Sequence, residues 1–517
     1  MILIKICEAE AMTRALRLLA VLTFFGVAWA ATPWLPLRGE TRPRNPGIIQ
    51  ARASGWITGS KIPPVLSYIP TYQRDVKPIL ERHCSSCHTD GGIGPFRLDD
   101  VKTVIEHADV VRHSVIDKRM PPWLAGGESP KFVGARGLSD DEIAIIANWS
   151  WAGAPEGVVE SRVSSPKILS SFKPDLTLET GFDFVPDAKR SDEYRCFILD
   201  PKLTGDRFLS GYDILPGDRR VVHHVLIYEL TPAAIAEAQG LEAQGLEAQS
   251  DKRGGYTCFG GPRLSSQLEL VGAWAPGSSA TVFPVGTGAR LRAGSRILMQ
   301  VHYNLSLGAK PDRTRIALAF SSDTNLKPLR NFAPSAPVEL ACKGPYTPDR
   351  SSGCSRESAY ARVLALNNSG PNRRRQNGGM LLQCKRSLEE FTAGNLTGRS
   401  KTSCEYSVPV DLEVRGVAGH MHYLGSSIKL EFNHRDPKRR QVLLEIPRWD
   451  FHWQGFYWLE QPLQVRMGDT FRITCEFDNS PENQPWLDGK QRAARYTVWG
   501  EGTEEEMCLA YVQTTLR

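Results

Sequence analysis

From Tyr72 to about Pro155 the apolar positions recur at helical spacing. Val76, Ile79 and Leu80 form one short apolar face. Further on, Leu138-Ser139-Asp140-Asp141-Glu142 supplies an N-cap and an acidic first turn ahead of Ile143, Ile145, Ile146 and Trp149. After a Ser/Pro-rich stretch near 160–175 the pattern changes. Short apolar runs (Val221–Leu230, Ile297–Leu305, Val410–Val417, Phe471–Phe477) alternate with Gly, Pro and Asp, which predicts strands and turns over a length sufficient for two sandwiches. The Gly-Leu-Glu-Ala-Gln repeat at 240–249 predicts a helical surface insertion, and the polar stretch 340–405 predicts an insertion pinned by its four cysteines. The expected fold is therefore multidomain: a small all-α domain followed by two all-β, jelly-roll-like sandwiches.

The first residues read as an export signal. Met12, Arg14 and Arg17 precede an apolar run from Leu18 to Ala30 that ends in Ala28-Trp29-Ala30, a small-residue cleavage pattern. The run is short for a membrane span, so no stable membrane insertion is expected once the signal is cleaved. The expected segments are a signal peptide at 1–30, an extended arm at 31–70, a helical domain at 71–158 and a linker at 159–175. Sandwiches follow at 176–335 and 336–517, the second carrying the 340–405 insertion.

Composition changes this picture only at two points. A net charge of +6 over 517 residues is too small to suggest nucleic acid. Export changes how the 11 cysteines read. Cys7 leaves with the signal and Cys84 and Cys87 belong to a motif considered next. The remaining Cys196, Cys258, Cys342, Cys354, Cys384, Cys404, Cys475 and Cys508 are an even number, which in an oxidising compartment suggests disulfides. The expected location is periplasmic or secreted.

Cys84-Ser85-Ser86-Cys87-His88 has the C-x-x-C-H pattern of covalent haem c attachment. Two thiols add to the haem vinyl groups and the adjacent His88 supplies the proximal iron ligand. Met120, in Arg119-Met120-Pro121-Pro122-Trp123, is the candidate second axial ligand, with His113 as its competitor. A thioether there raises the reduction potential and leaves no open site for oxygen. The 71–158 segment is thus expected to be a cytochrome c-like module that moves electrons.

Five other histidines cluster in the β region: His223-His224, His302, and His420-Met421-His422. A strand sets the imidazoles of His-x-His on one face, ready to share a metal. Adjacent His-His points to opposite faces, so sharing one ion requires a distorted strand and different ring nitrogens. Imidazole alone fits zinc or copper, whereas a thioether selects copper(I). Met507, in Glu504-Glu505-Glu506-Met507-Cys508, is one candidate thioether, but Met421 is closer along the chain and spacing does not choose between them.

With VVHHVLIYEL, MQVHYNL, GHMHYLG, GDTFRITCEFDNS and TEEEMCLAYV in this order over roughly 175–517, the chain resembles the type II copper, ascorbate-dependent monooxygenases. That family includes dopamine β-monooxygenase and the hydroxylating domain of peptidylglycine α-amidating monooxygenase. The resemblance implies two copper ions facing each other across a cleft between two sandwiches. His223, His224 and His302 would hold an electron-transfer copper, and His420, His422 and Met507 an oxygen-activating one. It also implies Cys475 pairing with Cys508, and Cys196 with Cys258, which leaves three connectivities for the other four cysteines. Tyr511 matches a substrate-site tyrosine of the peptide-hydroxylating branch. That branch holds its substrate carboxylate with an Arg and an Asn where this chain has Ala418 and Leu509, which argues against a C-terminal glycine substrate. The 340–405 insertion is foreign to the animal enzymes and is placed to cover or crowd the cleft.

These readings converge on an exported dicopper monooxygenase, an oxidoreductase that hydroxylates a small organic substrate with O2. One covalent haem c, reduced by an external electron donor, would deliver electrons one at a time to the first copper, tethering keeping donor and acceptor close. The alternatives are a haem and copper electron carrier or copper-binding protein without hydroxylase activity, and a zinc hydrolase built on the same histidines.

Overall fold

Helix and strand segregate along the chain as apolar spacing dictates. The structure, a computed structural model, describes residues 63–517 apart from Ser86, 91–93, 159–171, Ser191, 249–253, 259–260, Arg263, 265–267, Gly277, Ser279, 306–307, 343–352, 368–371, 393–396, His434 and 488–489. The signal-peptide reading, most of the arm and most of the 159–175 linker lie outside the described residues.

A π-helical turn at Tyr72–Val76 leads into helices Lys77–His83, Val101–Glu106, Ala108–Ile116 and Asp140–Trp151. Ser139 caps the last of these in a reciprocal box with Glu142, which satisfies two of the helix's orphan N–H groups. Val76, Ile79, Leu80, Val104, Val111, Ile146 and Trp149 bury one another in a small core.

The expectation of a separate all-α domain ahead of two jelly-roll-like sandwiches is overturned. Among the described residues the chain is mostly β, its strands divide among small sheets in a four-bladed, propeller-like arrangement, and no all-α cytochrome-like domain is visible. The described residues all fall within one compact unit. The physical reason lies between the helices. After Ile116 the chain runs extended, and its aromatic residues enter another core. Phe132 is buried in the cluster that holds Val414, Ile428 and Ile473, with Trp123 packed at its edge. The ring of Tyr457 lies 5.0 Å from Trp123 and 5.1 Å from Phe132. Backbone bonds fasten the same stretch, from Gly126 N to Glu445 O at 2.8 Å and from Val133 N to Trp458 O at 2.8 Å. A helical segment whose connecting residues complete a neighbour's core does not fold as a free module.

Two sheets frame the first half of the β region. A five-stranded sheet runs Tyr256–Thr257, Asp192–Leu199, Arg296–Asn304, Val222–Leu230, Glu269–Trp274. A six-stranded sheet centres on Arg207–Leu215 and Arg315–Phe320. Val225, Ile227, Met299 and Val301 of the former meet Leu209, Ile214, Ile316 and Leu318 of the latter in one core. In the second half, one four-stranded sheet runs Arg330–Phe332, Leu509–Leu516, Leu412–His420, Phe456–Val465. The other runs Arg399–Ser407, Thr470–Asp478, Gly425–Phe432, Gln441–Ile446.

Four disulfides tie these sheets and their loops: Cys196–Cys258, Cys342–Cys354, Cys384–Cys404 and Cys475–Cys508. The two pairings implied by the family resemblance are present, and the open set closes as two short loops. The repeat lies on helix Pro232–Ala248. The insertion carries helices Arg356–Asn367 and Asn372–Gln383 and packs on the Arg495–Trp499 stretch, where Asn377 Nδ2 donates to Trp499 O at 3.3 Å.

If the aromatic arm is part of the β core, Phe132→Ala lowers stability by about 3–5 kcal/mol through the cavity it leaves. Denaturant unfolding followed by near-UV signals of the β region would detect this. An unshifted β transition would mean that the helical segment folds on its own.

Candidate metal centre

The first histidine set is made by a β-bulge. Strand Val222–Leu230 pairs with Arg296–Asn304 as Val222↔Tyr303 and then His224↔His302, so His223 is an extra residue in the ladder. The bulge removes the alternation that would send adjacent side chains to opposite faces. His223 Nδ1 lies 3.3 Å from His224 Nδ1, and His302 Nδ1 lies 3.2 Å from that same atom. Two nitrogens held about 2.0 Å from one ion at a tetrahedral angle stand about 3.3 Å apart, so the spacing fits a shared metal. The strand is distorted, as adjacent histidines demand, but all three rings present Nδ1 rather than different nitrogens. Among the described residues this trio is the cluster of His, Cys, Asp and Glu whose ligand atoms approach closely enough to hold an ion, all within 4.8 Å.

Neighbours fix these rings. Asp192 Oδ1 lies 2.8 Å from His302 Nε2, which leaves Nδ1 with its lone pair toward the trio. The Tyr194 ring stacks on His302 with centroids 4.1 Å apart and planes within 6°. Asp192 also accepts from Thr503 Oγ1 at 2.7 Å, and Tyr194 Oη donates to Glu501 O at 3.0 Å. Both contacts reach the segment that carries Met507. Burial, then the charges of neighbouring histidines, holds His223 and His224 well below the usual imidazole range. They are neutral near pH 7, the form a metal requires.

The second set follows from sheet register. Leu412–His420 pairs antiparallel with Leu509–Leu516 as Ala418↔Tyr511 and His420↔Leu509. Opposite residues share a face, so Tyr511 lies on the His420 face of the sheet. The ladder ends at His420↔Leu509, and His422 and Met507 lie two residues beyond these ends on the two chains. Glu506, fully buried, ties these ends together. Its Oε2 accepts from His422 N at 2.9 Å and Met507 N at 3.2 Å, and its Oε1 accepts from Leu424 N. Burial pushes this carboxyl up to about 7 against the pull of those three donors. His420 Nδ1 meets Gln454 Oε1 at 2.6 Å and His422 Nδ1 meets Glu505 O at 3.1 Å, which leaves Nε2 of each ring for a metal. Burial lowers both histidines from the ordinary value. Met421 is buried too, but a Cβ on Gly425 would meet it at 2.9 Å, so it packs against that turn.

The two sets adjoin. The His224 and His420 rings are 6.3 Å apart between centroids, closer than coppers facing across an open cleft would suggest. Phe451 stacks on His223 at 4.4 Å and 18° and lies 5.9 Å from His422.

At the N-terminal motif, helix Lys77–His83 ends into Cys84, and His88 N bonds back to Cys84 O at 3.0 Å. His88 is buried with Nδ1 on Phe96 O at 2.9 Å, so Nε2 is the nitrogen left for iron. A Cβ on Gly94 would fall 2.5 Å from this ring, so only glycine fits there. Cys84 and Cys87 are not among the eight disulfide cysteines. Met120 is half-buried in the turn after helix Ala108–Ile116, its N on Ser114 O at 3.1 Å. His113 is exposed on that helix beside Arg112.

Sequence reasoning singled out the histidines and methionines but missed Asp192, Tyr194, Gln454, Phe451 and Glu506. One signal was available. The three consecutive glutamates lie just ahead of Met507, the half-cystine Cys508 and the apolar strand Leu509–Leu516, which is the context of buried chain.

Three buried or half-buried imidazoles whose Nδ1 atoms converge, beside a His-x-His strand, form a cluster that could hold a metal ion. Residues 380–514 match the family described as "copper type II ascorbate-dependent monooxygenase, C-terminal domain", a copper-binding oxidoreductase family. The matched span includes His420, His422, Cys475, Met507 and Cys508. No curated protein matches the chain. Solved structures with some similarity include the infectious bursal disease virus VP2 subviral particle, at 8% identity over 66% of this chain and 71% of that one with a TM-score of 0.15. An allantoicase has 12% identity over 60% and 78% with a TM-score of 0.13. The coconut allergen cocosin has 10% identity over 66% and 84% with a TM-score of 0.11. Similarity this low carries no argument.

Two outcomes follow. Asp192→Asn should lower metal affinity of the His223, His224 and His302 set by about 10–100-fold, read by chelator competition, because the carboxylate fixes the His302 tautomer. The depressed folded-state histidines also set a pH dependence. As pH falls through the unfolded value of about 6.5, the unfolded chain takes up protons first. Metal-free protein should hold this contribution in full above that pH and lose it progressively below, measured as urea midpoints against pH. A midpoint that rises on acidification would contradict the assignment.

Proposed function

We propose that the protein is a dicopper monooxygenase that hydroxylates a C–H bond of a small organic substrate with O2, fed by electrons through a haem on Cys84, Cys87 and His88. The observation that supports it best is the adjacency of two histidine sets, three converging Nδ1 atoms in one and, in the other, His420 beside His422, whose backbone N–H shares the Glu506 carboxylate with that of Met507. The second set lies within the segment that matches the monooxygenase family.

When bound, copper supplies one-electron exchange and activation of O2, and haem supplies one-electron storage. The remaining work falls to the chain. Asp192 and Tyr194 hold His302 so that Nδ1 faces its partners. Gln454 and the Glu505 carbonyl hold His420 and His422 so that Nε2 faces the second metal. Glu506 would hold the backbones of His422 and Met507 together, and a thioether ligand would favour the reduced metal. Tyr511, on the His420 face of the sheet, is placed to contact substrate. Its hydroxyl stays protonated because burial raises its pKa, so it can donate a hydrogen bond. His88 Nε2 and Met120 would complete the iron.

Four disulfides support folding in an oxidising compartment, periplasmic or extracellular. Among the described residues no helix is long and apolar enough to cross a membrane.

The deciding experiment is metal and haem stoichiometry with an untargeted search for a hydroxylated product formed in step with oxygen uptake. Met507→Ile, which keeps bulk and removes the thioether, should abolish that uptake and weaken copper at the second set while the haem spectrum stays unchanged. Haem-to-copper transfer without substrate-dependent oxygen uptake would leave an electron carrier, and zinc in both sites would favour a hydrolase.

A further inference from the structure

One loop links the turn before Met120 to both histidine sets. Arg448 donates from Nη2 to Lys118 O at 2.7 Å and from Nη1 to Asp117 O at 3.2 Å, two and three residues ahead of Met120. The next residue, Trp449, is buried, and its Nε1 donates to His422 O at 3.1 Å. Two residues on, Phe451 is buried with its ring stacked on His223 at 4.4 Å. Gln454 then reaches His420 through Oε1 at 2.6 Å while its Nε2 donates to Phe451 O at 3.0 Å. A stretch of seven residues thus joins the Met120 turn to three of the five clustered histidines.

We propose that Arg448–Phe451 is the electron-entry path into the copper pair, with Arg448 clamping the haem-bearing segment to the loop and Phe451 handing the electron to His223. This rests on the reading of Cys84–His88 as a haem site. The step moves one electron: ferrous haem becomes ferric and copper(II) at the His223, His224 and His302 set becomes copper(I), with no proton or bond change. The alternative direct way from the helices is the Trp123–Phe132 arm, but its rings pack on Tyr457 and the apolar core. Arg448 and Phe451 are positioning and relay residues; neither is a metal ligand.

The test uses the full chain with haem and copper loaded. Ferrous haem is prepared with a dithionite equivalent, copper(II) is supplied, and loss of the ferrous haem band is followed by stopped flow. Arg448→Gln and Phe451→Leu should each slow that decay severalfold, with haem content, copper content and the haem potential unchanged. Arg448→Lys, which can still donate to the two carbonyls, and Phe451→Trp, which keeps an aromatic face, should recover most of the rate. Wild-type transfer at a rate that none of these variants alters overturns the path but keeps the haem reading. A wild-type chain that takes up no covalent haem overturns the haem reading and the path together, and one that binds haem and copper yet shows no transfer overturns the path alone. Misfolding by Phe451→Leu would appear as lost copper, and Arg448→Gln then decides alone.

Discussion

The centre of this protein depends on holding five imidazoles together away from water. Burying an imidazole favours its uncharged form, and each ring then has one nitrogen that must donate and one that must accept. Four of the five meet the first demand or fix the ring with a local oxygen or ring contact: Asp192 for His302, Gln454 for His420, Glu505 O for His422, and the adjoining ring for His224. The other nitrogens are left facing one another with too few protons to go round. A metal resolves that conflict better than any rearrangement of hydrogen bonds.

The same demand explains why distant segments are knitted together here. Thr503 reaches Asp192 across 311 residues of chain, so the loop leading to Met507 helps to hold a ligand of the other set. Glu506 fixes the backbone of both His422 and Met507, and the Cys475–Cys508 bridge anchors the strand that follows. A carboxyl so buried is costly to keep charged, which is why it sits where three N–H groups converge. Stability and ligand geometry are thus carried by the same bonds, and loosening the Glu504–Met507 loop would loosen both sets together.

How much of this could be read from sequence varied with the range of the interaction. The strands that carry His224, His302 and His420 were legible because alternation is local, and the ligand candidates were legible because His-x-His and Cys-x-x-Cys-His are compact motifs. The bulge at His223 was not legible, since it exists only relative to the register of Arg296–Asn304. Choice of Nδ1 was not legible either, because it follows from what Asp192 does to His302. The all-α domain was misread for a related reason. Helical spacing showed that helices form around Val76 and Ile146, but nothing local in Trp123 or Phe132 says that they serve a core built hundreds of residues later.

That misreading has a consequence for the chemistry. A cytochrome on a flexible tether must find its acceptor by collision, at a rate set by effective concentration. Here the segment that bears Cys84–His88 is fastened to the β body by the Phe132 arm, by Glu128 against Lys429 and Arg440, and by Arg448 against the Met120 turn. The surface ion pairs add little by themselves, so the buried aromatic contacts and the paired carbonyl bonds set the geometry. Docking is then settled once, during folding, and the separation between the Cys84–His88 motif and the first imidazole set is fixed by the packing. Without a free-standing helical domain, where the Cys-x-x-Cys-His motif sits relative to the histidine sets is a property of how the whole chain is packed.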